Sequence, residues 1–259
     1  MSSIPNAVEA RRGFLERVDG AAETSGAVDA RLVAVTNPMG AAAEQYRMLL
    51  FRLRHLRAQM ASGISGGSVI AVTSSVRGEG VSVTAANLAL TAARARDARV
   101  ALVDCDLRRG GLTSLFNMPQ RAGLADVLSG KTEIGEALGR YHEGHLAVIG
   151  SGRAPGAESA SLLSNARFTQ ALGLLRTLFD EIYLDVPPAL ATADAQVVAH
   201  KADGIVLVAR ANVTPREQIA AAVRSLSGAP VWGVVLNGVD PSRVPSPMPV
   251  VKGHLGSGK

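Results

Sequence analysis

Short apolar runs recur along the chain with helical patterns between them. Residues 69–72 (VIAV), 100–103 (VALV) and 146–149 (LAVI) are apolar at consecutive positions, as are most of residues 181–185, 205–209 and 231–236. Consecutive rather than alternating apolar positions mark strands covered on both faces, as in a parallel sheet. Helical spacing begins at Ala41, where Tyr46, Leu49, Leu50, Leu53 and Leu56 share one face, with Arg47, Arg52, Arg54 and Arg57 between them. Residues 81–94, 168–178 and 215–226 also read as helices, and 123–128 and 133–138 as short ones. About six buried strands alternating with helices predict an α/β fold, a doubly wound, mostly parallel sheet with helices on both faces. Residues 31–36 read as a short extended piece stopped by Asn37-Pro38. The expected organisation is a flexible N-terminal arm over 1–36, one domain over 37–240, and a disordered Pro/Gly-rich tail over 241–259.

Composition narrows the functional classes. At 259 residues and 47% hydrophobic, the chain can bury a full core. The formal charge of +5 raises the question of nucleic acid. Only Lys131, Lys201, Lys252 and Lys259 are lysines, however, and the arginines are scattered over helices without a block or interleaved aromatics, so solvated faces are expected and nucleic acid is not. The single cysteine, Cys105, implies a reducing compartment. The first twenty residues lack the apolar stretch of a signal peptide, and no run is long enough to cross a bilayer. A cytoplasmic protein is expected.

The candidate chemistry follows the first buried strand. Gly78 and Gly80 permit a tight turn whose N–H groups can approach an anion, and the helix from Val81 points its positive end at the same place. A phosphate loop would read G-x-x-x-x-G-K-[ST]; here Gly80 and Ser82 stand in place, but Val81 occupies the lysine position. By analogy with deleting one preorganised donor, roughly 2.7–4 kcal/mol of transition-state stabilisation is lost, about a hundred- to thousandfold in rate. Arg77 is the loop's own cation, either a substitute for the lysine or a solvated side chain. Asp104 and Asp106 end the second strand, where hard oxygen ligands suit magnesium, with helix capping as the alternative. Asp185 ends a later strand, before Pro187-Pro188, and fits a Walker B carboxylate. The histidines fall in no metal-ligand spacing.

Gly78-Glu79-Gly80, Asp104-Cys105-Asp106-Leu107-Arg108-Arg109 and Leu184-Asp185-Val186-Pro187-Pro188 resemble the Walker A, A′ and B elements of the bacterial tyrosine autokinases, the BY-kinases of capsule and exopolysaccharide export. Glu44-Gln45-Tyr46-Arg47 is similar to the start of that family's oligomerisation helix. The resemblance implies a P-loop NTPase fold akin to MinD and ParA, binding ATP or ADP with Mg2+. Nucleotide would lie on Arg77, Gly78, Glu79, Gly80, Val81, Ser82 and Val83, with Asn237 near the adenine. Ser82 and Asp104 would contact the metal, Asp185 would order its water, and Asp106 would assist in-line transfer. It also implies a homo-oligomer activated by the cytosolic segment of a separate membrane polysaccharide co-polymerase, hence a position peripheral to the inner membrane.

Departures from the family pattern point to a pseudokinase that binds nucleotide weakly or not at all and regulates polysaccharide assembly by docking. Val81 replaces the lysine, residues 241–259 lack the family's tyrosine cluster, and Leu50 stands where the helix motif has a second arginine. The alternative is a residual kinase or ATPase using Arg77. A MinD/ParA-type positioning ATPase is less favoured, because Ser74-Ser75-Val76-Arg77 carries no early lysine.

Overall fold

The computed structural model describes residues 28–60, 66–118, 122–141, 145–152 and 158–240. The expected tail over 241–259 and most of the expected arm lie outside them.

The described chain runs α1 (Val33–Thr36), α2 (Ala41–Met60), β1 (Ser68–Ser74), α3 (Val81–Arg94), β2 (Val100–Asp104), α4 (Gly111–Leu115), α5 (Leu124–Leu128), α6 (Ile134–Ala137), β3 (Leu138–Tyr141), β4 (Leu146–Ile149), α7 (Ser159–Ser164), α8 (Ala166–Leu178), β5 (Glu181–Asp185), α9 (Asp194–Ala199), β6 (Gly204–Arg210), α10 (Arg216–Ser225) and β7 (Val231–Asn237). These strands form one seven-stranded sheet in the order β3-β4-β2-β5-β1-β6-β7. All pairs are parallel except β3 with β4. The expected doubly wound sheet is therefore present, with an added antiparallel edge strand.

Strand residues are sorted to two cores by simple alternation. Val69, Ala71, Ala101, Val103, Ile182, Leu184, Ile205 and Leu207 face one core, which α8 and α9 cover with Phe168, Leu172, Leu175 and Val198. Ile70, Val72, Val100, Leu102, Tyr183, Val206 and Val208 face the other, beneath α3 and α2. Because both faces of β1, β2, β5 and β6 are covered, these strands carry no polar alternation, which is why they read as continuous apolar runs. In contrast, β7, expected as another buried strand, is partly open to solvent, with Val234 and Leu236 exposed at the sheet edge.

The chain leaves β1 for β2, runs out to the edge as β3, returns as β4 between β3 and β2, and re-enters as β5 between β2 and β1. It then crosses to the far side of β1 as β6 and β7. This reversal opens a crevice at the carboxyl ends of β2, β5 and β1, the place where such sheets take ligands.

Two local expectations are corrected. Residues 31–36 are not extended: Val33–Thr36 form a helical turn, with Leu32 and Ala34 buried. Asn87 holds this segment in place, accepting from Ala34 N through Oδ1 and donating to Arg31 O through Nδ2, both at 2.9 Å. An arm boundary at 36 therefore cuts through packed structure. Leu138 belongs to β3 rather than to the short helix before it, because antiparallel pairing with Ile149 extends the sheet there.

Candidate functional site

The phosphate loop links β1 to α3. Gly80 has φ 95°, and a Cβ on it would lie 2.0 Å from Asn237 Nδ2, so only glycine fits. Asn237 Nδ2 donates to Glu79 O at 2.8 Å. The Glu79 side chain is buried and accepts from Val76 N at 2.9 Å and from the Thr214 hydroxyl. Thr214 in turn accepts from Arg210 N at 2.9 Å. The loop is thus braced from below by the ends of β6 and β7.

Above the loop lies a cavity of about 420 Å³. Arg77, Gly78, Gly80, Val81, Ser82 and Val83 line it, together with Asp106 and Asp185. Glu79 and Asn237, expected on the loop's nucleotide side and near the adenine, brace the loop with their side chains, and neither lines this cavity. Asp104 is also set beneath it, fully buried, its oxygens accepting from Asp106 N and Leu112 N at 3.1 Å each. Asp104 therefore shapes the turn that carries Asp106. Arg31, Arg109, Ser114 and Leu115 also line it and were not among the expected site residues. Arg109 follows the strand-end acids directly, and that adjacency was the available signal. Arg31 offered none, since only the packing of its segment brings it here.

Electrostatics sets the acids apart. Asp104 and Asp185 are register partners on adjacent strands. Burial drives Asp104 well above the ordinary carboxylate range, and the charge of Asp185 adds to it. Burial lifts Asp185 to about 7, opposed by the Ser82 hydroxyl and reinforced by Asp106. Burial also raises Asp106, against backbone donation from Arg108 and the charges of Arg109 and Arg77. Two neighbouring carboxylates without a cation favour holding a shared proton until one arrives. Cys105, fully buried between these acids, has its thiol pushed well above its usual value and is inert.

The residues fit a magnesium-bound phosphate chain on two observations. Asp185 Oδ2 is buried and has no hydrogen-bond partner, and a Cβ placed on Gly111 would lie 3.6 Å from it and 2.5 Å from Ser82 Oγ, so the two oxygens converge under the loop. The backbone at Gly78, with φ 85°, has open space where a side chain would stand, leaving its amide accessible to an anion. Among the described residues no three His, Cys, Asp or Glu side chains form a metal cage, so magnesium here would draw most of its ligands from phosphate and water.

Comparison with known proteins agrees with this geometry. No family model matches the chain. Tyrosine-protein kinase YwqD of Bacillus subtilis is 34% identical over 209 residues, 80% of this chain and 85% of its own. The kinase domain of the Escherichia coli tyrosine kinase ETK superposes with a TM-score of 0.74 over 96% of this chain and 99% of that one, at 24% identity. Cobyrinic acid a,c-diamide synthase from Mycobacterium smegmatis, solved with bound ATP analog and magnesium, shares the fold at a TM-score of 0.53 over 62% of this chain and 65% of its own. Identity of that order across most of both sequences, on a sheet and loop of this form, means that the chain belongs to the bacterial tyrosine-protein kinase family, the BY-kinases, and is built as a P-loop NTPase.

Proposed function

We propose that this BY-kinase relative binds ATP or ADP with magnesium but transfers phosphate poorly, and regulates capsule or exopolysaccharide assembly by docking. The carrying observation is Val81. It opens α3 at the position of the P-loop lysine, and its side chain packs against the core that contains Val72 and Ala85. No ammonium group can reach the phosphates from there. The loop amides, the positive end of α3, Ser82 and Asp185 remain to bind the ground state, whereas charge shifting during transfer is left without its usual partner. Magnesium, when bound, would neutralise phosphate charge; Ser82 and Asp185 would hold it, and Asp106 would face the reacting end.

Tyrosine placement supports the same reading. The chain has three tyrosines; Tyr141 and Tyr183 are buried and Tyr46 is half-buried against the core, so none presents a free acceptor hydroxyl. Leu50, at the family's second arginine position, is buried in the same core. The proposed partner is the cytosolic segment of a separate membrane polysaccharide co-polymerase. Among the described residues no helix is long and apolar enough to cross a membrane.

Titration calorimetry with ADP and ATP plus magnesium, beside a phosphate-release assay, tests this. Binding is expected with little turnover, and Val81→Lys should raise turnover about a hundredfold or more. Wild-type turnover equal to that of the variant would overturn the reading. A second reading, residual kinase activity through Arg77, is favoured by the position of that guanidinium on the cavity wall and its action on Asp106. It requires an already active wild type that Arg77→Ala silences.

A further inference from the structure

With valine at position 81, the charge of a bound phosphate chain has to be met from elsewhere in the cavity. Arginines line its walls at three places: Arg77 in the loop, Arg109 after β2, and Arg31 in the segment before α1. Arg77 and Arg109 already act on Asp106. Arg31 is differently held. Its Nε and Nη2 donate to Asp29 Oδ1 and Oδ2, both at 2.8 Å, and its backbone N donates to Asp29 Oδ1 at 2.9 Å. That fork uses two of the five N–H bonds of the guanidinium and leaves Nη1 and one hydrogen of Nη2 available. The side chain is 63% exposed, so those donors face solvent at the cavity mouth.

The backbone of this segment is fixed relative to the phosphate loop. Asn87 is fully buried in α3, the helix that the loop opens. Its Oδ1 accepts from Ala34 N, and its Nδ2 donates to both Arg31 O and Val83 O, each at 2.9 Å. Asp29 N donates to Leu115 O at 3.1 Å, tying the other flank to a second lining residue of the cavity. One buried amide thus joins the first turn of α3 to the residue that carries the cation, and one carboxylate orients its fork.

We propose that Arg31 is a phosphate-binding residue for the nucleotide and that Asp29 is its positioning residue, supplying ground-state charge neutralisation that the loop itself lacks. The inference rests on the nucleotide-binding reading above and adds the ligand preference: nucleoside di- and triphosphates over monophosphates, because the cation stands at the cavity mouth and meets the outer phosphates.

Titration of the 259-residue chain with ADP, ATP and AMP in the presence of magnesium, at low and raised salt, tests it. Arg31→Ala should weaken ADP and ATP binding by about tenfold or more while leaving AMP nearly unchanged. It should also flatten the salt dependence, and Arg31→Lys should recover part of the loss. Asp29→Asn should weaken ADP binding about threefold in the wild-type background and not at all when combined with Arg31→Ala, the non-additivity expected of a group that acts through another. A purely structural Asp29 would instead lower Tm and weaken binding equally in both backgrounds, overturning its assignment. Unchanged ADP affinity in Arg31→Ala, with wild type binding normally, would overturn the role of Arg31 alone. A wild type that binds neither ADP nor ATP at millimolar concentration would overturn the nucleotide reading as well.

Discussion

The two ends of the central strands handle charge in opposite ways. At the amino ends of β1 and β5, each acid meets an arginine. Glu181 accepts from Arg54 Nε and from the Tyr183 hydroxyl, both at 2.6 Å, and Arg54 reaches on to Asp97 at 2.8 and 3.1 Å. Arg176 forks onto Asp203 at 2.7 Å twice, while Asp203 also accepts from Val69 N at 2.7 Å. Asp180 is held by Arg99. At the carboxyl ends, Asp104 and Asp185 lie side by side, fully buried and without an ion pair, and both are pushed toward the protonated form. The same sheet thus carries one end whose charges are matched within the fold and another whose charges are left to be matched by a ligand. Perturbed carboxylates in a crevice mark a functional site for this reason.

The sharpest way to break the contrast is at the matched end. Glu181→Ala would strand the buried Tyr183 hydroxyl and leave Arg54 with only its outer partner, and should cost about 3–5 kcal/mol in urea denaturation. A loss below about 1 kcal/mol would mean that the network is as dispensable as a surface pair.

The unmatched end should respond with the opposite sign. Asp185 binds its proton more tightly folded than unfolded, so the folded chain carries the extra proton between the ordinary value of 3.8 and about 7. Stability from this group is present on the acid side and is lost as pH rises through that window. Wild-type Tm without nucleotide should therefore fall from pH 5 to pH 8. Asp185→Asn, neutral throughout, should flatten the profile and raise stability at pH 8 by on the order of 2 kcal/mol. A variant less stable than wild type at pH 8 would show that Asp185 is matched after all.

Pairing without burial gives the smallest effect and separates the two ideas. Arg99 and Asp180 are 34% and 49% exposed, so Arg99→Ala should cost only about 0.2–1 kcal/mol despite a bidentate geometry. A loss as large as that of Glu181→Ala would assign the stability of this end to pairing alone.

Legibility in the sequence followed the range of the interactions. Val69 to Arg94 could be read because an apolar run, a glycine turn and a helix are each specified within a few neighbours. Asp104 and Asp185 could be read as strand-end acids, but not as a laterally paired couple, because their strands are neighbours only after β5 re-enters the sheet. The bracing role of the Glu79 side chain was not legible, because its partner Thr214 lies far along the chain. Arg31 was invisible for the same reason: Asn87 supplies the order that its own segment does not encode, 56 residues away. The edge strand β3 was missed because its pairing with β4 overrides a short helical pattern at Leu138.

The contact between Gly80 and Asn237 constrains how relatives of this chain can diverge. A bulkier residue at 80 would have to displace the amide, and a changed residue at 237 would release the carbonyl of Glu79. Because the backbone at 80 is left-handed whatever stands at 237, glycine is expected to persist there, and a descendant that departs at 237, 157 positions downstream, should show a new partner for the Glu79 carbonyl.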